Sequence, residues 1–183
     1  TSETISSTIS NEMKSDALVA VLVSTVCMLI YVWFRFKDIR FGASSVICLM
    51  HDVLVVIAFY ALARVSVGST FIACALTIVG YSINATIVIF DRIRENMAEM
   101  KPKDALKDVV NLSINQSLGR SIFTSLTTFF MVAALYIFGV TSIREFALPL
   151  MVGIVCGAYS SVCIAGTLWY ILRCKFEMKE SDE

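Results

Sequence analysis

The sequence predicts an all-α membrane protein with five transmembrane helices and an interfacial helix on the cytoplasmic side. Apolar residues make up 57% of the 183-residue chain, and its mean hydropathy of +0.78 is far above that of soluble proteins. These residues fall in long uninterrupted blocks rather than at the three- and four-residue spacing of a surface helix. We therefore expect the blocks to be buried in a lipid bilayer.

Five apolar blocks approach or exceed the roughly 20 residues that an α-helix needs to cross about 30 Å of hydrocarbon. They cover residues 17–34, 43–63, 70–90, 121–140 and 146–172, and they define a transmembrane domain over 17–172. Inside a bilayer the backbone polar groups must be satisfied within each segment, which favours helices. The more polar residues 91–120 are predicted to form a cytoplasmic loop.

Lysine and arginine residues indicate the orientation of these helices. Twelve of the 15 lie between the first two blocks, between the third and fourth, or after the fifth. Because positive residues concentrate on the cytoplasmic side, the tail 173–183 is predicted to be cytoplasmic and the amino end to lie outside. The polar segment 1–16 has no signal-peptide pattern, so we expect it to be the end of an extracytoplasmic domain whose earlier part is missing.

Composition and motifs exclude several functional classes. A net charge of zero and a pI of about 6.5 give no indication of a nucleic-acid partner. The 6 cysteines form no CxxC pair, and buried cysteine is common as a small apolar residue, so neither a metal site nor a disulfide framework is predicted. The chain contains no phosphate-binding loop, HExxH motif or nucleophile elbow. We therefore expect neither an enzyme nor a cofactor.

An ionisable pair lies near the middle of the second block. His51 and Asp52 are adjacent there, and a carboxylate at the centre of a bilayer costs at least about 2.5 kcal/mol. Such a residue usually faces the interior of a bundle or a wet cavity. Two interpretations stay open for Asp52: a protonatable group on an ion path, or a hydrogen-bonded node between helices. His51 by itself is interpreted as structural or as tuning its neighbour.

The third block carries a polar band and ends in charge. Asn84 lies in this band with Tyr81, Ser82 and Thr86, and such residues can form hydrogen bonds between helices. The amide of Asn84 can also orient a water or a carboxylate. A charged cluster follows at the cytoplasmic end: Asp91, Arg92, Arg94 and Glu95. Its helical spacing fits either a solvated, salt-bridged helix end or a surface that couples to a partner.

Apolar residues recur at helical spacing through 103–118, which predicts an amphipathic helix along the cytoplasmic interface, opened by Pro102. Arg120 follows at the start of the fourth block, among several hydroxyl residues. An arginine at this depth can extend back to the interface, or it can pair with a carboxylate across the bundle. The accompanying hydroxyls favour pairing.

The fifth block carries small residues at helix-packing spacing. Gly153 and Gly157 form a GxxxG pattern, which predicts close packing in a tight bundle or against a partner subunit. Pro149, near the outer end of the block, predicts a kink or a first-turn residue.

Four segments together closely resemble the SecF family, the smaller membrane subunits of the SecD and SecF pair in the resistance-nodulation-division superfamily. They are GYSINATIVIFDRIREN at 80–96, SINQSLGRSIFTSLTT at 113–128, the His-Asp pair in LMHDVLV, and GAYSSVCIAG at 157–166. The resemblance runs from about residue 5 to the end of the fifth block, in the same order and spacing.

The resemblance implies a proton-gradient-driven auxiliary component of the Sec translocase in the bacterial cytoplasmic membrane. Such a component helps to pull a translocating polypeptide out of the SecY-type channel after the SecA motor has pushed it. SecD, the channel complex, SecA, the polypeptide and the lipid bilayer are the implied partners. A first helix and a periplasmic domain are implied before residue 1.

The resemblance also implies roles for individual residues. The family's proton path is thought to involve an acid in SecD, an acid in the equivalent SecF helix, and an arginine in the next SecF helix. The arginine matches Arg120, whereas the position of the SecF acid is occupied by Ala85. This departure leaves Asn84, Arg120 and Asp52 as the chain's coupling candidates, with the essential acid supplied by SecD.

Two other functions stay open. The chain can belong to an exporter of small apolar compounds or lipids, as other members of the superfamily are, which would require a wide apolar cleft in the bundle. It can also be a scaffold that stabilises the translocon without coupling to an ion gradient. Substitutions at Arg120 or Asp52 would then affect assembly alone.

Overall fold

The structure, a computed structural model, describes residues 7–36, 38–64, 69–101 and 105–181. Every regular element in these ranges is a helix: α1 Ser7–Phe36, α2 Ile39–Ala63, α3 Ser69–Ala98, α4 Leu106–Phe138, α5 Thr141–Tyr159 and α6 Gly166–Ser181. A π-helical segment, Ser160–Ala165, joins α5 to α6. The predicted all-α fold is confirmed.

Four stretches of the described chain are long and apolar enough to cross a membrane. They are Ile39–Ala63, Thr70–Ala98, Leu106–Phe138 and Thr141–Lys175. The first predicted block lies in α1, whose described part contains a shorter apolar stretch, Leu22–Arg35. The first four predicted blocks therefore lie in α1 to α4, and the fifth runs through α5, the π-helical segment and α6, although the ends differ from those predicted.

The segment predicted as a cytoplasmic loop between the third and fourth blocks is largely helical, and the helix predicted within it is continuous with the fourth block. α3 continues through Ala98, so residues 91–95 extend this helix. α4 runs unbroken from Leu106 to Phe138, so the residues predicted to form an interfacial helix are the first turns of the fourth long helix. Residues 91–98 and 106–120 contain no proline, and helix propagation from an existing span is favourable. Pro102 lies outside the described residues.

The ends of α2 are capped by short-range contacts. The Asp38 carboxylate precedes the first turn and accepts a hydrogen bond from the backbone N–H of Arg40 at 2.9 Å. Aspartate is a preferred residue for this role because it satisfies a donor that has no partner inside the helix. At the other end Arg64 adopts a left-handed conformation (φ 52°), and its N–H donates to the carbonyl of Tyr60.

α3 lies at the centre of the bundle and contacts all the other helices. One apolar cluster surrounds Trp169, whose ring stacks on Phe41 with centroids 4.7 Å apart and planes 14° apart. A second cluster surrounds Ile154 in α5 and is formed by α2, α3, α4 and α5. The fully buried aromatic and aliphatic side chains of these clusters hold the central helices together.

The GxxxG face of α5 packs inside the bundle. A Cβ added at Gly153 would overlap Cδ1 of Ile78 in α3, and would lie 2.6 Å from Cγ1 of Ile78 and 3.3 Å from Cγ2 of Val56 in α2. This geometry matches the tight-bundle interpretation of the pattern. Pro149 lies inside α5 beyond its first turn, so the first-turn interpretation is wrong.

Candidate functional site

A buried carboxylate joins three helical elements. Asp52 in α2 has a fully buried side chain, with an exposed fraction of 0%. Its Oδ2 atom accepts hydrogen bonds from the hydroxyl of Ser82 in α3 at 2.5 Å and from the hydroxyl of Ser160 in the π-helical segment at 2.7 Å. A carboxylate loses its hydrogen bonds to water when it is buried, and the two hydroxyl donors replace some of them.

The other carboxylate oxygen of Asp52 faces a histidine and a cysteine. Oδ1 lies 3.1 Å from Nδ1 of His51 and accepts a hydrogen bond from the Cys156 thiol, with Sγ at 3.5 Å. The His51 side chain is 40% exposed, so it connects the buried acid to the outside of the bundle. We call His51, Asp52, Ser82, Cys156 and Ser160 the Asp52 cluster.

Small residues allow the helices to approach at the Asp52 cluster. A Cβ added at Gly157 would lie 3.6 Å from Cβ of Ser82 and 3.7 Å from Oδ2 of Asp52. The π-helical segment begins at Ser160, one helical turn beyond Cys156, so both residues present their side chains to the same carboxylate. Isolated π turns inside α-helices occur frequently at functional sites.

A second polar site lies between α3 and α4. A cavity of about 80 Å³ is lined by Tyr81, Asn84, Ala85, Val88, Arg120, Ser121, Thr124 and Ser125. We call it the Arg120 cavity. Asn84 and Arg120 are both exposed, and Ala85 is half-buried between them and the bundle. Asp52 does not line this cavity, so the three sequence-predicted coupling candidates are divided between two places.

The Arg120 cavity has unused hydrogen-bonding capacity. Within the described part of the chain, Arg120 forms no hydrogen bond and no ion pair. The buried hydroxyl of Ser121 also lacks a partner among the described residues. The phenol of Tyr81 donates to the Ser125 hydroxyl at 2.8 Å and closes one side of the cavity. A cationic group beside free donors is suited to bind a carboxylate.

The charged cluster at the end of α3 ties three helices together. Asp91 pairs with Arg35 of α1 at 2.9 Å, and Arg94 donates to the Arg35 carbonyl at 3.0 Å. Arg92 donates to Oε1 of Gln116 in α4 at 2.7 Å and to Glu95 at 2.8 Å. These contacts have the form of a salt-bridged helix end. Exposed pairs of this kind contribute at most about 1 kcal/mol each.

Sequence reasoning missed two members of the Asp52 cluster. The sequence interpretation treats Cys156 as an ordinary small apolar residue and includes Ser160 as part of the fifth apolar block. Their four-residue spacing on one helix was the available signal, since residues at that spacing share a face. Their partner, however, lies 104 and 108 positions away in α2, and periodicity alone does not reveal such a contact.

The chain is similar to a known family over nearly its whole length. The family described as "Protein export membrane protein SecD/SecF, C-terminal" matches residues 1–175. Among curated relatives, the protein translocase subunit SecF of Alicyclobacillus acidocaldarius is 47% identical over 167 residues, which cover 90% of this chain and 54% of that protein. The SecF of Sebaldella termitidis is 46% identical, over 93% of this chain and 55% of that protein.

Longer relatives and solved structures agree with this match. The protein translocase subunit SecDF of Bacillus subtilis is 41% identical over 98% of this chain and 25% of its own length. A crystal structure of SecDF from Thermus thermophilus aligns with a TM-score of 0.85 and 42% identity, over 91% of this chain and 23% of that one. A crystal structure of SecDF in a super-membrane-facing form gives a TM-score of 0.83 and 39% identity, over 97% of this chain and 23% of that one. The chain spans about half the length of the SecF relatives.

Proposed function

The chain belongs to the SecD/SecF C-terminal family of protein export membrane proteins, and we propose that it is the membrane-embedded half of a SecF-type translocase subunit. In this role it performs no bond-making chemistry and assists the export of polypeptides. Relatives that cover more than nine-tenths of this chain are named as translocase subunits, which supports the proposal. The main structural support for the mechanism proposed below is the Arg120 cavity.

In the proposed mechanism, a carboxylate from SecD pairs with Arg120. An arginine at membrane depth costs several kcal/mol unless it is neutralised or reaches the interface. The cavity offers Asn84 and four hydroxyl residues as further donors or acceptors. The half-buried Ala85 leaves the acid to be supplied from outside the chain. Relatives in which SecD and SecF are named as one protein, SecDF, support a partner of this kind.

Proton binding would switch this pair. Removing one charge from a desolvated ion pair leaves the other charge buried without a partner, which is costly. Protonation of the SecD carboxylate would therefore release Arg120 and let the two bundles shift against each other. That shift would move the extracytoplasmic domains and draw out the polypeptide delivered by the SecY-type channel and SecA. Asp52 is the second coupling candidate, because it is a buried acid that contacts three helical elements.

The proposed location is the bacterial cytoplasmic membrane, in a multi-pass arrangement. The distribution of 12 of the 15 lysines and arginines supports a cytoplasmic carboxyl end and an outside amino end for this part of the protein. Segment 1–16 would then adjoin an extracytoplasmic domain.

Replacing Arg120 by alanine is expected to abolish the gradient-dependent part of export. The measurement is the rate at which a secreted reporter enters inverted vesicles that contain the full-length protein and SecD, at fixed ATP, with and without a proton gradient. Arg120→Ala should reduce the rate with a gradient to the rate without one. Lys107→Ala is the matched control, because it removes an exposed cation from the same helix outside the cavity.

The same assay separates the coupling role from the scaffold role. If the gradient-dependent gain per complex survives in Arg120→Ala, this residue is not part of the coupling path. A scaffold would instead show fewer assembled complexes with an unchanged gain in each, which immunoblotting of the vesicles would detect.

One observation favours a second candidate function, the export of small apolar compounds or lipids. An apolar groove of about 490 Å³ lies between α4 and α5, lined by Phe129, Leu148, Met151, Val152, Val155, Cys156 and Tyr159. Efflux of a fluorescent lipid analogue from the same vesicles would test it. Val155→Trp should block this efflux by filling the groove and should leave reporter export unchanged.

A further inference from the structure

Three potential metal-donor atoms of the Asp52 cluster lie within 3.9 Å of one another. Nδ1 of His51 lies 3.1 Å from Oδ1 of Asp52, Sγ of Cys156 lies 3.5 Å from the same Oδ1, and Sγ and Nδ1 are 3.9 Å apart. The circle through the corners of a triangle with these sides has a radius of about 2.0 Å. Bonds from Zn²⁺ measure about 2.0–2.1 Å to histidine nitrogen, 2.0–2.2 Å to carboxylate oxygen and 2.3 Å to cysteine sulfur.

We propose that His51, Asp52 and Cys156 form a binding site for a zinc-type divalent transition-metal ion. This site goes beyond the proposed export function and does not depend on it. The three atoms have the spacing of one face of a coordination tetrahedron, and an ion slightly outside their plane reaches all three at normal bond lengths. The fourth position stays open for an exogenous ligand.

The charges of the three ligands suit an ion in an apolar interior. A cysteine thiolate and an aspartate carboxylate together offset the two positive charges of Zn²⁺, while the histidine binds as a neutral imidazole. The loaded site therefore has no net charge, which avoids the cost of burying an unpaired ion among helices. Binding displaces the thiol proton to solvent.

The hydroxyl hydrogen bonds to Asp52 occupy one carboxylate oxygen and leave the other, Oδ1, available to bind a metal ion. The Ser82 and Ser160 hydroxyls both donate to Oδ2, so they fix the orientation of the carboxylate and leave Oδ1 facing the nitrogen and the sulfur. Outer hydrogen bonds of this kind usually accompany a ligating carboxylate, and losing one weakens metal binding by about 10- to 100-fold.

The ligand types select the class of ion. Thiolate and imidazole donors favour Zn²⁺ and related transition metals, whereas Mg²⁺ and Ca²⁺ prefer oxygen ligands alone. Access is available from the side, because His51 is 40% exposed and Cys156 lines the apolar groove between α4 and α5. The spacing of the cysteines gives no indication of the site, since the ligands lie 104 and 105 positions apart in the chain.

The test is titration of the full-length protein, purified in detergent micelles, with Co²⁺ as a coloured substitute for Zn²⁺. We expect one Co²⁺ per chain, a thiolate-to-cobalt charge-transfer band, and displacement of Co²⁺ by one equivalent of Zn²⁺. Cys156→Ser should abolish the band. Cys163→Ser is the matched control, because it removes an exposed cysteine from the adjoining π-helical segment and should leave the spectrum unchanged.

Two further variants keep the result interpretable. His51→Gln, at a partly exposed position, and Ser160→Ala, which removes one hydrogen bond to Oδ2, should each weaken Co²⁺ binding at least about tenfold while the thiolate band is retained. Helical circular dichroism confirms folding of each variant. The proposal is overturned if the wild-type protein binds no stoichiometric Co²⁺, if folded Cys156→Ser keeps the band, or if both further variants bind Co²⁺ as tightly as the wild type.

Discussion

Trp169→Ala is expected to lower the free energy of unfolding by about 3 kcal/mol, the largest effect of any single truncation considered for this bundle. The Trp169 side chain is 0% exposed, and its ring stacks on Phe41 and lies 5.5 Å below the guanidinium carbon of Arg173. Truncation would leave a cavity at the junction of α2, α3 and α6. Lipid provides no hydrophobic force between helices, so lost packing is the main source of the effect.

Denaturant titration of the full-length protein in micelles, followed by helical circular dichroism, measures this change. Trp33→Ala is the matched control, because Trp33 is 61% exposed and its truncation should change stability by less than about 0.5 kcal/mol. Trp169→Phe should cost less than Trp169→Ala, since it keeps a ring in contact with Phe41 and removes an indole N–H that has no partner among the described residues. Equal effects of Trp169→Ala and Trp33→Ala would contradict the predicted core.

Gly153→Ala is expected to destabilise the bundle by about 1–3 kcal/mol, the cost of overpacking a close-packed interior. The added methyl group would overlap the Ile78 side chain, which is 1% exposed and has no free space to enter. α5 would have to move away from α3. The same titration measures the loss.

Gly80→Ala is the matched control for Gly153→Ala, and its effect should have the opposite sign. A Cβ added at Gly80 meets nothing within 4 Å, so alanine there can gain up to about 1 kcal/mol from helix propensity. If both substitutions changed stability equally, the close approach of α5 to α3 at Gly153 would be wrong.

Hydropathy predicted the spanning helices because each needs an apolar block long enough to cross the bilayer, and that requirement is local. It did not predict the continuity of α4. Apolar residues at helical spacing before Arg120 are equally compatible with a helix lying on the membrane and with the first turns of a span. Contacts with other helices decide between these, for example the hydrogen bonds from Asn96 to Ser113 and Gln116.

The candidate site was predictable only in part, for a similar reason. Asp52 was identified because a carboxylate in an apolar block is costly and therefore requires partners. The identity of those partners depends on how α2, α3 and α5 are placed in three dimensions. Asn84 and Arg120 were identified as polar residues at membrane depth, and the family resemblance added the coupling role. Their position in one cavity follows from the packing of α3 against α4.

The π-helical segment at Ser160–Ala165 keeps two distant residues on one side of the last helix. In a regular α-helix each residue advances by about 100°, so Gly153 and Trp169 would point about 160° apart. A π turn holds one extra residue and removes roughly 100° of that angle. The extra residue therefore restores the angular position of the buried face around the helix axis. It lets a four-residue repeat of buried side chains (Gly153, Gly157, Ser161, Ala165 and Trp169) run straight into the aromatic core, where a regular helix would carry the repeat around to the lipid.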